Sequence, residues 1–268
     1  MEKVELGRHA LARGVRLEVF DAIDSTNDEA RRRAEAGDRG PLWVVAARQT
    51  KGRGRLGRSW SSLAGNLHAS LLLSGFGPPA IAPQLGFVAG LATIAALIET
   101  TGAPHRLALK WPNDVLLDGA KLAGVLLEGA QQAQPGAPFG CVIGVGVNCA
   151  SSPEGLPYPA SDLSRLASAP SAGVLFACLS DQMEETLRLW AGGAGFAALR
   201  ERWLAHAAGL GEEIEARLPR ETLRGRFETI DADGRLIISA EGGRRVIEAG
   251  DIFLPALSAA RPEPERRQ

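Results

Sequence analysis

Residues 51–60 read KGRGRLGRSW and lie between two apolar, strand-like runs, LWVVAARQ at 42–49 and NLHASLLLS at 66–74. From Arg39 to Ile98 the chain carries no carboxylate, yet Arg39, Arg48, Lys51, Arg53, Arg55 and Arg58 all fall within those 60 residues. Five of the six cations sit within eleven residues. With no local counter-charge, such a loop generates a strongly positive potential suited to an anionic ligand. The interleaved Gly52, Gly54 and Gly57 let backbone N–H groups come close to that ligand. A solvated basic surface run is the other reading of the same residues.

Two nucleotide motifs overlap this loop, and neither fits. Gly52, Gly54 and Gly57 satisfy G-x-G-x-x-G, but a strand rather than a helix follows, and no acidic residue occurs before Glu99. Gly52, Gly57, Arg58 and Ser59 approach the P-loop pattern with arginine in place of lysine, again without a helix N-terminus to hold phosphates. A doubly wound nucleotide fold is therefore not expected.

The flanking chain predicts a mixed α/β protein. VRLEVFDAID (15–24) alternates as a strand, and Ser25 to Glu29 carries capping-box spacing that predicts a helix from about Asn27 to Ala36, stopped by Gly37. Residues 81–100 predict a helix ending near Gly102. RLALKWPNDVLLDGAKLAGVLLEG reads as two strands joined at Asp118-Gly119, and CVIGVGVNCA as a further buried strand. Residues 172–208 have helical spacing interrupted at Gly192, Gly193 and Gly195. After Gly209 four short alternating segments split by LPRE, DADG and EGG predict a small barrel-like domain. The expected division is 1–209 for the first domain, 210–256 for the barrel and 257–268 for a disordered tail.

Composition excludes several classes. A formal net charge of −1 argues against a general nucleic-acid binder. Cys141, Cys149 and Cys178 lack CxxC spacing and read as thiols of a reducing, cytoplasmic setting, while the four histidines form no ligand cluster. The N-terminus has no signal h-region, and the apolar stretch from Pro83 to Ile98 falls short of the ~20 residues of a bilayer span. A soluble protein without a membrane partner is expected. No G-x-S-x-G elbow or Cys–His arrangement points to hydrolysis.

Three more segments carry polar groups in apolar surroundings. Lys121 opens KLAGVLLE, either as a snorkelling strand-end lysine or as a point charge aimed at a phosphate or carboxylate. Asn113 and Asp114 follow Pro112 and read either as turn residues or as ligands. The glycines of GVGVN at 144–148 mark close approach of a ligand or relieve packing on the sheet.

Taken together, STN (25–27), Gln49 with GRGRLGRSW (52–60), GNL (65–67), KWPND (110–114), KLAGVLLE (121–128) and GVGVN (144–148) resemble the biotin protein ligase family over roughly residues 15–255. The resemblance implies an α/β (α+β) fold: a class II synthetase-like catalytic domain with a mixed β-sheet, and a small C-terminal SH3-like barrel. It implies that biotin and ATP form biotinyl-5′-AMP, from which biotin passes to a lysine of a biotin carboxyl carrier protein of acetyl-CoA or related carboxylases. By carry-over, Ser25, Thr26, Asn27 and Gln49 bind biotin. Arg53, Gly54 and Arg55 wrap its carboxylate and the adenylate phosphate in a loop that orders around ligand. Lys121 and Arg55 stabilise the reacting acyl-phosphate. Arg53, Arg55, Arg58, Asn113, Lys121 and Asn148 hold the nucleotide, and Trp60 stacks on adenine. Mg2+ is expected with ATP, and Asp114 is a candidate ligand for it.

Only 24 residues precede Ser25, too few for the helix-turn-helix module of some family members, so no DNA partner is expected. A homodimer is possible in this family. The nearest rival is a lipoate protein ligase. A rival of another class is a non-catalytic RNA-binding protein using the arginine loop and the barrel, although Phe227 and Phe253 are the only aromatics there.

Overall fold

A computed structural model describes residues 3–131 and 138–255. The elements, in chain order, are α1 (Arg8–Ala12), β1 (Arg16–Phe20), α2 (Thr26–Glu35), β2 (Leu42–Ala46), β3 (Leu67–Ser74), α3 (Gln84–Thr101), β4 (Leu107–Lys110), β5 (Asp114–Leu117), β6 (Ala120–Ala130) and β7 (Gly140–Val147). Then come α4 (Ala172–Trp190), α5 (Phe196–Ala205), β8 (Glu213–Arg217), β9 (Thr222–Ile230), β10 (Leu236–Ala240), β11 (Gly243–Ile247) and β12 (Asp251–Phe253).

Seven strands form a mixed sheet in the order β1-β2-β3-β7-β6-β5-β4, in which β1 and β2 run parallel and the other pairs antiparallel. Residue parity assigns its two faces. Trp43, Val45, Leu71 and Ile143 point into the main core with α3, α4 and α5. Leu42, Val44, Leu72 and Val142 point the other way, onto Ala30 and Ala34 of α2. Helix α2 covers only part of that second face, packing chiefly on β2, β3 and β7 and less on β6, and so leaves a trough over β6 and β7. Ser25 caps α2 by accepting from Asp28 N–H at 3.4 Å, and Gly102 closes α3 in the left-handed region at φ 65°.

The sequence reading of 106–129 needs correction. KWPND is itself a reversal: Lys110 pairs with Asp114, so β4 and β5 form a hairpin before the Asp118-Gly119 turn. Pro112 has no N–H for a ladder, which favours a turn there over a continuous strand. The second turn is as expected, with φ 49° at Asp118 and 75° at Gly119. The short helix α1 and the strand β12 were also unforeseen.

The C-terminal strands form a five-stranded antiparallel sheet, β11-β10-β9-β8-β12, the barrel-like unit expected from the sequence. It shares one continuous core with the larger sheet, and Trp111 Nε1 donates to the Gly234 carbonyl at 3.0 Å across the junction. Helix α3 is long and apolar enough to pass as a membrane span by composition, but 67% of that window is buried between the sheet and α4 and α5. The tail expected at 257–268 lies outside the described residues.

Candidate active site

The trough is built from the strand register. His68, Gly146 and Gly124 lie side by side on β3, β7 and β6, and Ser70, Gly144 and Leu126 form the next row. A Cβ on Gly146 would fall 2.6 Å from Cε2 and Cζ2 of Trp60, and one on Gly144 would fall 2.4 Å from Asn27 Oδ1. The glycines thus let two side chains approach the sheet closely: Trp60 lies against the floor and Asn27 reaches over it. The trough continues into a cavity lined by every predicted site residue except Asn148. Asn148 is buried beside it, with Nδ2 donating to the Ser161 carbonyl at 3.0 Å, and lines an adjoining pocket with Trp60, Lys121 and Tyr158.

One end of the cavity is uncharged and polar. Gln49 Oε1 accepts from Thr26 N–H at 2.8 Å and from Thr26 Oγ1 at 3.0 Å, and Ser70 Oγ lies 2.6 Å from Asn27 Oδ1. These groups are nearly all buried and already hydrogen-bonded, so their orientations are set before any ligand arrives.

The glycine-arginine segment folds into a small hairpin with bonds of its own. Gly54 N–H donates to the Arg58 carbonyl at 2.7 Å and Trp60 N–H to that of Gly52 at 3.0 Å, with Leu56 80% exposed at the tip. The three arginines part ways. Arg53, read from the sequence as a cation for the ligand, instead binds Asp28 at 2.7 Å through both Nη atoms and Glu128 at 2.8 Å. Its pKa is raised chiefly by the Asp28 hydrogen bonds, with Glu128 adding. Arg58 forms a forked pair with Asp251 of β12, tying the loop to the C-terminal sheet. Arg55 has only an amide partner, Asn113 Oδ1 at 3.0 Å, and burial pulls its pKa below the ordinary arginine value despite Asp251 and Asp114. A desolvated guanidinium without a carboxylate is the group in this loop with most to gain from an anion. Because Arg53 and Arg58 are engaged with carboxylates, the exposed basic strip that an RNA-binding reading needs is not formed by these arginines.

Opposite Arg55 stand the cations of the double hairpin. Lys121 Nζ lies 2.7 Å from Asp114 Oδ1, as a charge contact without aligned hydrogen-bond geometry, and Lys110 Nζ lies 3.9 Å from Asp114 Oδ2. Lys121 does not snorkel: its ammonium sits 5.8 Å from the ring centre of Trp60 and 5.6 Å from that of Tyr158. Burial lowers the Lys110 pKa, with Asp114 opposing and Lys121 adding to the shift. Asp114 is therefore shared by two lysines, and no group of three or more potential metal ligands occurs among the described residues.

Sequence reasoning left Lys110 and Glu128 unassigned inside motifs it had recognised. It missed Ser70, His68, Tyr158 and Asp251 altogether. His68 is fully buried and lines the cavity beside Trp60. Tyr158 and Asp251 arrive from distant parts of the chain, with no local pattern to announce them.

The Biotin/lipoate A/B protein ligase family model matches residues 19–148, and the Biotin protein ligase C terminal domain model matches residues 209–254. The chain is 41% identical over 239 residues to the biotin--[acetyl-CoA-carboxylase] ligase of Paracoccus denitrificans, covering 86% of this chain and 97% of that protein. It is 34% identical over 245 residues to the enzyme of the same name from Mycobacterium tuberculosis, covering 88% of each. Among solved structures, the biotin protein ligase of Aquifex aeolicus in complex with biotin and ATP superposes with a TM-score of 0.75 at 29% identity, over 89% of this chain and 97% of that one. With a trough polar at one end and cationic at the other, both sheets in place and relatives matched along nearly their whole length, this chain belongs to the biotin protein ligase family.

Proposed function

We propose that the protein is an ATP-dependent biotin protein ligase, and the observation that carries this is the two-ended cavity. At the uncharged end, Thr26, Gln49 and Asn27 present oriented donors and acceptors suited to a buried ureido group. At the other end Arg55, Lys110 and Lys121 meet where a carboxylate and an α-phosphate would react. Trp60, packed against Gly146, forms the shelf between them and is the ring for adenine to stack on.

In the first step an oxygen of biotin's carboxylate attacks the α-phosphorus, the bond to the β-phosphate breaks, and pyrophosphate leaves. In the second, a neutral lysine amine of a carrier domain attacks the acyl carbon, loses a proton, and AMP departs. Arg55 and Lys121 stabilise negative charge on the phosphate and acyl oxygens in both steps. Asp114, held between Lys121 and Lys110, orients the two ammonium groups. Asp114 and Asp251, the cavity's carboxylates, are already engaged by cations, so Mg2+ would be held mainly by the triphosphate and would supply neutralisation of its charge. We also read the domain boundary at 209/210, the setting as cytoplasmic, and the acceptor as a biotin carboxyl carrier domain.

The test is incubation with biotin, Mg-ATP and a biotin carboxyl carrier domain, followed by the carrier's intact mass. An ATP-dependent, biotin-sized increase that is lost in Lys121→Ala supports the reading. Transfer of lipoate to a lipoyl domain, without biotin transfer, refutes it.

A further inference from the structure

Arg53 stands apart from the loop it belongs to. Its guanidinium takes Asp28 through both Nη atoms at 2.7 Å, and Glu128 through Nη2 at 2.8 Å and Nε at 3.2 Å. Glu128 Oε2 also accepts from Asn27 Nδ2 at 2.7 Å, and Asp28 meets Arg31 at 3.6 Å. Two carboxylates and two guanidinium groups thus form a cluster with no net charge, bridging the first turn of α2, strand β6 and the stem of the loop. Forked guanidinium–carboxylate bonds fix direction as well as distance, so the cluster holds Arg53 and the Asn27 amide in one geometry. With its donors committed, Arg53 has no free charge for an anionic ligand, whereas Arg55 has only the Asn113 amide.

We infer that Glu128 and Asp28 are positioning residues that clamp Arg53 and Asn27, making Arg53 a strut that sets the loop over the uncharged end of the cavity rather than a cation that meets phosphate. Glu128 acts through Arg53 and Asn27 and does not line the cavity itself. The inference rests on the reading of the cavity as the seat of biotin.

Glu128→Gln keeps the shape and removes one charge. It is expected to raise KM for biotin about tenfold, while kcat at saturating biotin and KM for ATP change less than threefold, the signature of binding lost equally from ground and transition states. In an Arg53→Ala background the same substitution adds less than it does in wild type, because only the Asn27 contact of Glu128 remains to be weakened. In ligand-free protein, tryptic cleavage after Arg53 accelerates at least tenfold in Glu128→Gln, since the protease must withdraw the guanidinium from its clamp. Glu128→Asp, which restores the charge, recovers part of both effects. If Glu128→Gln does not fold, Asp28→Asn supplies the same readings, and Arg53→Ala, which leaves both carboxylates in place, supplies the KM comparison. The clamp is overturned if Glu128→Gln leaves cleavage and biotin KM within twofold of wild type, or if Arg53→Ala raises KM for ATP more than KM for biotin. Wild-type protein that transfers no biotin would end the ligase reading alone, since cleavage without ligand still decides whether the clamp exists.

Discussion

Gly146→Ala tests whether the floor of the trough sets the height of the Trp60 shelf. The new Cβ would fall 2.6 Å from Cε2 and Cζ2 and 2.9 Å from Nε1 of Trp60. Carbon atoms rest at about 3.5–4.0 Å, so the indole must rise by about 1 Å. Moving a positioning group by that distance costs on the order of a hundredfold in rate, or about 2.7 kcal/mol of transition-state stabilisation. Overpacking also costs about 1–3 kcal/mol of stability. The assay is steady-state biotin transfer to a carrier domain, with thermal unfolding run in parallel. Gly129→Ala is the control: it lies on the same sheet, and its Cβ would meet the Phe139 ring at an ordinary 3.6 Å. We expect kcat/KM to fall about a hundredfold in Gly146→Ala and to stay within twofold in Gly129→Ala. A folded Gly146→Ala protein with near wild-type kcat/KM would refute the shelf.

Three further expectations follow from the cavity. Lys121→Ala and Arg55→Ala should each lower kcat by about a hundredfold or more with intact folding, as removal of a charge-stabilising donor does; single-turnover adenylate formation measures it, and a loss confined to KM would contradict the assigned roles. Burial lowers the His68 pKa to about 4, with a nearby Leu63 carbonyl opposing, so the unfolded chain binds the extra proton between about pH 4 and 6.5. Stability should therefore rise with pH across that window by up to about 3 kcal/mol, and His68→Phe should flatten the rise in urea titrations at pH 4.5 and 7; an unchanged slope would count against a buried neutral imidazole. The Arg58–Asp251 pair is half exposed, so Asp251→Asn should alter the unfolding free energy by less than about 1 kcal/mol while raising KM for ATP severalfold, since Arg58 is left free to move.

Much of the architecture was legible because it is written in local patterns. Ser25 followed by Asp28 and Glu29 announces the start of α2, and Gly102 announces the end of α3. Asp118-Gly119 announces a hairpin, since two consecutive residues with positive φ suit aspartate and glycine. The reversal at KWPND was missed because its apolar neighbours on both sides continue a strand-like pattern across it, and β12 was missed because three residues carry no period. In the site, the motif residues other than Asn148 line one cavity, but what each cation does there did not follow from the motif.

The count and spacing of arginines in residues 51–60 are properties of the chain, and so is the excess of positive charge between Arg39 and Ile98. Which of those charges is free is a property of contacts. Arg53 finds carboxylates 25 and 75 residues away, and Arg58 finds one 193 residues away, while Arg55 finds only an amide. An ion's effect depends on what stands within a few ångströms of it and on how much water remains. Local sequence records neither, and both appear only when the strands have paired and α2, the loop and the C-terminal sheet have closed around the trough.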